Sequence, residues 1–324
     1  MAQAESFNVV NNREDRMDLL TIVSPEKTPI LSSMPKTRAQ NATLAEWFTD
    51  DYDNVAFGGI KEGEDNTTHA DKTTNREAIG NRYQIFRKGY AVTDIQEAVD
   101  TAGVGSEEAK AKAKSIAELK QSMEAAIGSD NDLQVGSGLV PSLMRGLGAW
   151  VNNSTSTIPS AVRTPSASIG TTSSLTESGF NDVLQSVFDS SGVVQNMNLF
   201  AGSELQRKVS DFTRASAGTD QTSPFIVNSD QKEREIVFSV QFYRGDFANV
   251  QIISDQFLGR VDGGGQTTQS KARGYLLTDE HVSVSIWQEP QIQEQTDNGG
   301  GPRGFAKSRG TLCVKNPLGL GKFA

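Results

Sequence analysis

The sequence predicts an α+β fold on three observations. A long, well-capped helix stands at 106–128, aromatic and β-branched runs read as strands toward both ends, and a second amphipathic helix at 176–192 lies between polar loops. A hydrophobic fraction of 36% and a charged fraction of 22% over 324 residues are ordinary for a chain that buries a core, and 30 glycines imply long connections.

The first forty residues read as an extended arm, because Pro25, Pro29 and Pro35 each block a helix or a central strand. A short amphipathic helix at 13–22 is a weaker expectation. The runs TLAEWFT (43–49) and YQIFRKGYAVT (83–93) read as strands. Between them lies a polar excursion whose tip is acidic, with Asp50, Asp51, Asp53, Glu62, Glu64, Asp65 and Asp71 against Lys61. The returning side is basic, with Arg76, Arg82, Arg87 and Lys88.

Ser106 is the expected N-cap of the long helix, Glu107 and Glu108 suit its positive end, and Gly128 is the expected stop. Its 21 or so residues would span roughly 31 Å. Ala109, Ala113, Ile116, Leu119, Met123, Ala126 and Ile127 form the expected apolar stripe, with Lys110, Lys112, Lys114, Glu118, Gln121 and Glu124 on other faces. Residues 152–174, rich in Ser and Thr, read as a surface loop. Phe180, Val183, Leu184, Val187 and Phe188 then mark a helix between a Thr176 cap and a Gly192 stop. A strand at 198–201 and a helix at 203–213 follow. The last third reads as strands: a hairpin with Ile236, Phe238, Val240 and Phe242 before a Gly245-Asp246 turn, a strand at 281–287, and one at 311–315.

Chemistry is sparse. The two histidines, His69 and His281, have no nucleophile or orienting partner in any motif. Cys313 is the only cysteine, which excludes an internal disulfide and suits a small buried hydrophobe. The acids from Glu62 to Asp71 do not follow an EF-hand spacing. Gly263–Gly265 and Gly299–Gly301 lack a phosphate loop's lysine and read as turns. No cofactor, metal site or catalytic residue is expected. Early charges (Glu5, Arg13, Glu14, Asp15) interrupt any signal-peptide core, and no stretch reaches the roughly 18–20 apolar residues of a membrane span. The expectation is folding in a reducing cytoplasm, with no membrane partner. A net charge of -9 argues against a protein built to grip nucleic acid.

Several blocks occur in an order that resembles the major capsid proteins of tailed phages with the Hong Kong 97-type fold. They are TPILSSMPKTRA (28–39), the Glu46-Trp47 pair, QIFRKGYAVTDIQEAV (84–99), AELKQSMEAAI (117–127), GLGAW (146–150), the helix around 181–188 and the stretch 275–290. The block from 84 to 127 is the most specific.

The resemblance implies an N-terminal arm at about 1–40, an extended loop at 41–93, a peripheral domain with its spine helix at 94–139, an axial domain at 140–270, and a return to the peripheral domain at 271–324. It implies a non-enzymatic shell subunit that associates with itself in hexamers and pentamers and encloses double-stranded DNA, assembled in the host cytoplasm. A portal protein, a possible cement protein and, with no long helical scaffold domain ahead of the arm, a separate scaffolding protein are the further partners. Arg82, Arg87 and Lys88 are the expected basic side of an inter-subunit contact, and Asp50, Asp51, Glu62 and Glu64 the acidic side. Noncovalent association is expected, since no motif singles out Lys61 or Lys72 for a crosslink. The alternatives are a phage tail or baseplate protein and, further off, a carbohydrate-active enzyme built on a carboxylate pair.

Overall fold

The computed structural model describes residues 27–52, 55, 57–65, 67, 69, 71–73, 75–99, 101, 103–191, 196–212, 241–260 and 267–324. The expected helix at 13–22, most of the strand at 236–242, the Gly192 stop and the glycines at 263–265 lie outside them. In chain order the elements are α1 (Pro29–Ser33), β1 (Lys36–Arg38), β2 (Leu44–Thr49), β3 (Glu77–Arg82), β4 (Gln84–Ala91), α2 (Asp94–Ala98), α3 (Glu107–Ile127), α4 (Leu147–Trp150), β5 (Ile169–Gly170) and α5 (Glu177–Ser191). They continue with β6 (Asn196–Ala201), α6 (Ser203–Asp211), β7 (Phe242–Arg244), β8 (Asn249–Ser254), α7 (Thr268–Ala272), β9 (Gly274–Leu277), β10 (Val282–Gln295), β11 (Arg303–Val314) and β12 (Gly321–Phe323).

Helix α3 forms where its caps and periodicity place it. The Ser106 hydroxyl accepts from Ala109 N at 3.2 Å, and Gly128 ends the helix with its N–H on Glu124 O at 3.0 Å. Glu97 reaches from α2 to receive Ser106 Oγ at 2.8 Å and Glu108 N at 2.9 Å, which places a carboxylate at the positive end of the helix. Leu119, Met123 and Ile127 are buried against the four-stranded sheet, ordered β1-β10-β11-β4. The stripe differs from expectation at both ends: Ala109 and Ala113 are exposed, and Glu124 is fully buried. Its partners, described below, explain how a carboxyl occupies a core position.

The excursion does not close between the two expected strands, 43–49 and 83–93. Strand β2 pairs antiparallel with β3, from Leu44 opposite Arg82 to Thr49 opposite Glu77, as a separate two-stranded ribbon. Strand β4 instead pairs with β11 in the four-stranded sheet. Two buried contacts account for β3. Asn81 donates to Arg145 O at 3.0 Å and Leu312 O at 2.8 Å and accepts from Arg145 N at 2.7 Å, so its amide is satisfied in the core. Trp47 fastens the opposite strand, with Nε1 donating to Val314 O at 2.9 Å and its ring 5.9 Å from Trp150.

A six-stranded sheet, ordered β5-β12-β9-β6-β8-β7, makes the second layer. The Thr176 hydroxyl accepts from Gly179 N at 3.1 Å at the start of α5. That helix buries Phe180, Val183, Leu184 and Val187 on the sheet, with Phe180 stacked 5.2 Å from Phe323. The polar loop at 152–174 is not wholly on the surface, since Ile158, Thr164, Ser168 and Thr172 are buried. The strands expected at 281–287 and 311–315 extend much further, into a hairpin from Val282 opposite Val314 to Gln295 opposite Arg303. At its tip the Asp297 carboxylate accepts from the N–H groups of Gly299, Gly300 and Gly301 at 2.8, 3.0 and 3.1 Å. Gly299 and Gly301 sit at φ +92° and +96°, so this turn favours glycine.

Candidate functional site

Two surfaces lack partners among the described residues. The first is the ribbon tip. From the end of β2 onward, Phe48 is 78% exposed, Val55 80%, Ile60 82%, and Tyr52 and Phe57 each 96%. Isolated apolar side chains on a surface need no explanation, but five within thirteen residues of an unsupported loop do. These residues follow neither helical nor strand periodicity, so only the acids among them stand out in the sequence.

The expected acidic residues occupy the same loop. Asp50 pairs with Arg76 at 3.1 Å, an exposed contact across the ribbon worth little by itself. Asp51 accepts from Tyr52 N at 2.8 Å, and Glu64 bonds Lys61 N at 3.3 Å in a local turn. Glu62 is exposed in that turn. His69 is exposed too.

The second surface is the sheet face opposite α3. Alternation along β11 buries Gly304, Ala306, Ser308 and Gly310 toward the helix and leaves Arg303, Phe305, Lys307 and Arg309 on the open side. Register adds Arg87 directly opposite Lys307, and Ile85 opposite Arg309. On the other flank, β10 places Gln291, Gln293 and Gln295 opposite Lys307, Phe305 and Arg303. The pairing rows thus hold four cations and no carboxylate. Arg87 lies over the Phe305 ring at 5.5 Å and Arg309 over Trp287 at 5.6 Å, which orients both guanidinium groups along the sheet. Like charges directly across a sheet repel, so the Arg87–Lys307 pair favours an anionic partner from outside.

The three expected basic residues therefore separate. Arg87 is on the open face, whereas Lys88, opposite the buried Ala306, is on the helix side of the same sheet. Arg82 ends β3, with its Nε buried and without a hydrogen-bond partner among the described residues. The cations that do share Arg87's face, Arg303, Lys307 and Arg309, come from the outer part of β11, beyond the expected strand at 311–315.

Nothing among the described residues resembles a catalytic or metal centre. No group of three or more His, Cys, Asp or Glu side chains converges there, and no described helix is long and apolar enough to cross a membrane. His281 is held below its ordinary range by burial. Burial pushes the Cys313 thiol up to about 11.

An arm segment, an unsupported ribbon, a spine helix behind one sheet and a second helix-backed sheet define a subunit of the Hong Kong 97-type fold. Solved structures agree across the chain. The Cyanophage A-1(L) capsid matches at a TM-score of 0.62 and 12% identity, covering 96% of each chain. Mycobacterium phage Adephagia matches at 0.59 and 11%, covering 100% of this chain and 98% of that one. Gordonia phage Cozz matches at 0.58 and 13%, covering 97% and 91%. No curated protein matches. The SU10 major capsid protein family matches residues 3–324, and the chain belongs to that family. It is a structural subunit of a phage head shell and not an enzyme, which sets aside the tail, baseplate and carbohydrate-active alternatives.

Proposed function

We propose that copies of this chain join in rings of five and six and close into an icosahedral head enclosing double-stranded DNA. The ribbon of each copy lies on the open sheet face of the next. The observation that carries this reading is the complementarity of the two surfaces: an acidic, apolar tip and a basic sheet face on the same chain. A surface that meets a different surface of an identical copy is heterologous and closes into a ring when the rotation permits. An isolated two-stranded ribbon is marginal in water, so packing on a neighbour gives its tip lasting order. Asp50, Asp51, Glu62 and Glu64 then face Arg87, Lys307 and Arg309, while Arg82 and Lys88 act nearer the ribbon root.

In this reading α3 and the four-stranded sheet form the peripheral domain and the six-stranded sheet with α5 and α6 the axial domain. The boundaries are near 94–139 and 140–270, with 271–324 returning through the hairpin and an arm at 1–40. The extended loop, expected at 41–93, is in this reading the ribbon of β2 and β3 with its tip. A separate scaffolding protein, a portal and a possible cement protein complete the assembly, which takes place in the host cytoplasm. Negative-stain electron microscopy of the chain, alone and with its scaffolding partner, tests this. Closed shells or rings of five and six are expected, whereas a strictly monomeric particle in both preparations would overturn the reading.

A further inference from the structure

The chain buries a pair of carboxyl groups that none of the proposed shell contacts uses. Glu124 on α3 and Asp255 just after β8 are 0% and 3% exposed. The two Glu124 oxygens accept from Ile30 N at 2.7 Å and Leu31 N at 2.8 Å, so this side chain holds the first turn of α1, the arm segment nearest the core. Asp255 Oδ1 accepts from Phe257 N at 2.8 Å. Its Oδ2 is buried and has no donor among the described residues. The two carboxyl groups are within hydrogen-bonding reach of each other. Two ionised carboxylates that close, out of water, repel strongly; one proton between them removes the repulsion and gives Oδ2 a partner. A metal ion suits the place poorly, since three of the four oxygens already accept backbone N–H groups and no third ligating side chain joins them among the described residues.

We propose that Glu124 and Asp255 form one proton-binding site that clamps the segment around α1 onto the spine helix, and that loss of the shared proton loosens this clamp. The surroundings leave the pair little other compensation. Helix α1 presents only backbone N–H groups; Lys27 ahead of it and Lys120 one turn earlier on α3 are exposed. Arg260, at the end of the Asp255 segment, is the outside charge that acts on the pair, drawing Asp255 down from a position over Phe257. Burial, and then the charge of Asp255, push Glu124 up to about 8. Burial also raises Asp255, and the two titrate as a unit.

The sign follows from the direction. A carboxyl raised above its unfolded value binds more protons in the folded state, so its contribution is complete below the ordinary carboxylate range and is lost as pH rises through the raised value. The arm segment is therefore tightest on the acid side and loosens progressively as pH rises toward about 8.

Hydrogen exchange of the 324-residue chain, followed at the Ile30 and Leu31 amides from pH 6 to pH 9 and corrected for intrinsic rates, tests the clamp. Protection should fall by up to about tenfold per pH unit as pH rises toward the upper titration near 8, and level off above it. Glu124→Gln, which keeps an acceptor and a donor but cannot ionise, should flatten the profile. Parallel profiles for the two proteins would overturn the proposal. Infrared difference spectra supply a readout independent of the variant's folding. The wild-type chain at neutral pH should show the C=O stretch of a protonated carboxylic acid, and its absence would refute the shared proton.

Discussion

Replacing Phe57 and Ile60 together by serine isolates the apolar share of the ribbon contact. Both side chains stand almost free in the single chain, at 96% and 82% exposure, so their removal costs the fold nothing it uses. Burial against a neighbour is worth about 1.5–3 kcal/mol for each. Ordering the two side chains returns about 0.5–1.5 kcal/mol each, leaving roughly 2–3 kcal/mol per contact. Association should weaken about thirty- to hundred-and-fortyfold at each interface, and the loss recurs at every contact around a ring. Sedimentation velocity over a concentration series reads the assembly threshold, and circular dichroism melting reads the fold, where a change within about 0.5 kcal/mol is expected. Shells that form at an unchanged threshold would refute the assignment of the tip to an inter-subunit contact.

Reversing charge on the open sheet face with Arg87→Glu and Lys307→Glu should weaken assembly through about 0.2–1 kcal/mol per lost pair. Reversing the acidic side in the same chain, with Asp51→Lys and Glu62→Lys, should restore part of it; light scattering of assembly reads both. Gly146→Ala would place a Cβ 2.3 Å from Ser129 O and 2.9 Å from Ala126 O, backbone that cannot step aside. Destabilisation of about 1–3 kcal/mol is expected in denaturant melts. Cys313, with its thiol raised by burial, should resist a thiol reagent at pH 8 in the folded chain and react on unfolding, as mass spectrometry would show.

The elements visible in advance were those whose signals are local. Helix α3 announces itself through Ser106, the paired glutamates and Gly128, and α5 through Phe180, Val183, Leu184 and Val187 on one face. The strands missed were held by distant partners. Residues 77–82, EAIGNR, carry little strand propensity and form β3 because Asn81 is gripped by Arg145 and Leu312 across the core. The outer half of the long hairpin is polar on both faces, with Pro290 and several glutamines, so no alternation marks it. For the same reason only Arg87 of the expected basic residues reached the open face, since its companions lie on the unrecognised part of β11. Glu124 was assigned to solvent by its charge; its burial depends on two N–H groups more than ninety residues away in sequence.

The hairpin that ends at Asp297 is tied back to the N-terminal third of α3 by Lys112, which bridges Glu294 at 2.5 Å and Glu108 at 2.7 Å. Helix and hairpin are thus braced along their length like the two flanges of a girder. Such a unit resists bending, so in the proposed shell any change in curvature between rings of five and six is absorbed elsewhere in the subunit. The ribbon joins the core through few contacts, chiefly at Trp47 and Asn81. Flexure between rings should therefore concentrate at those two residues, with the girder travelling as a rigid piece.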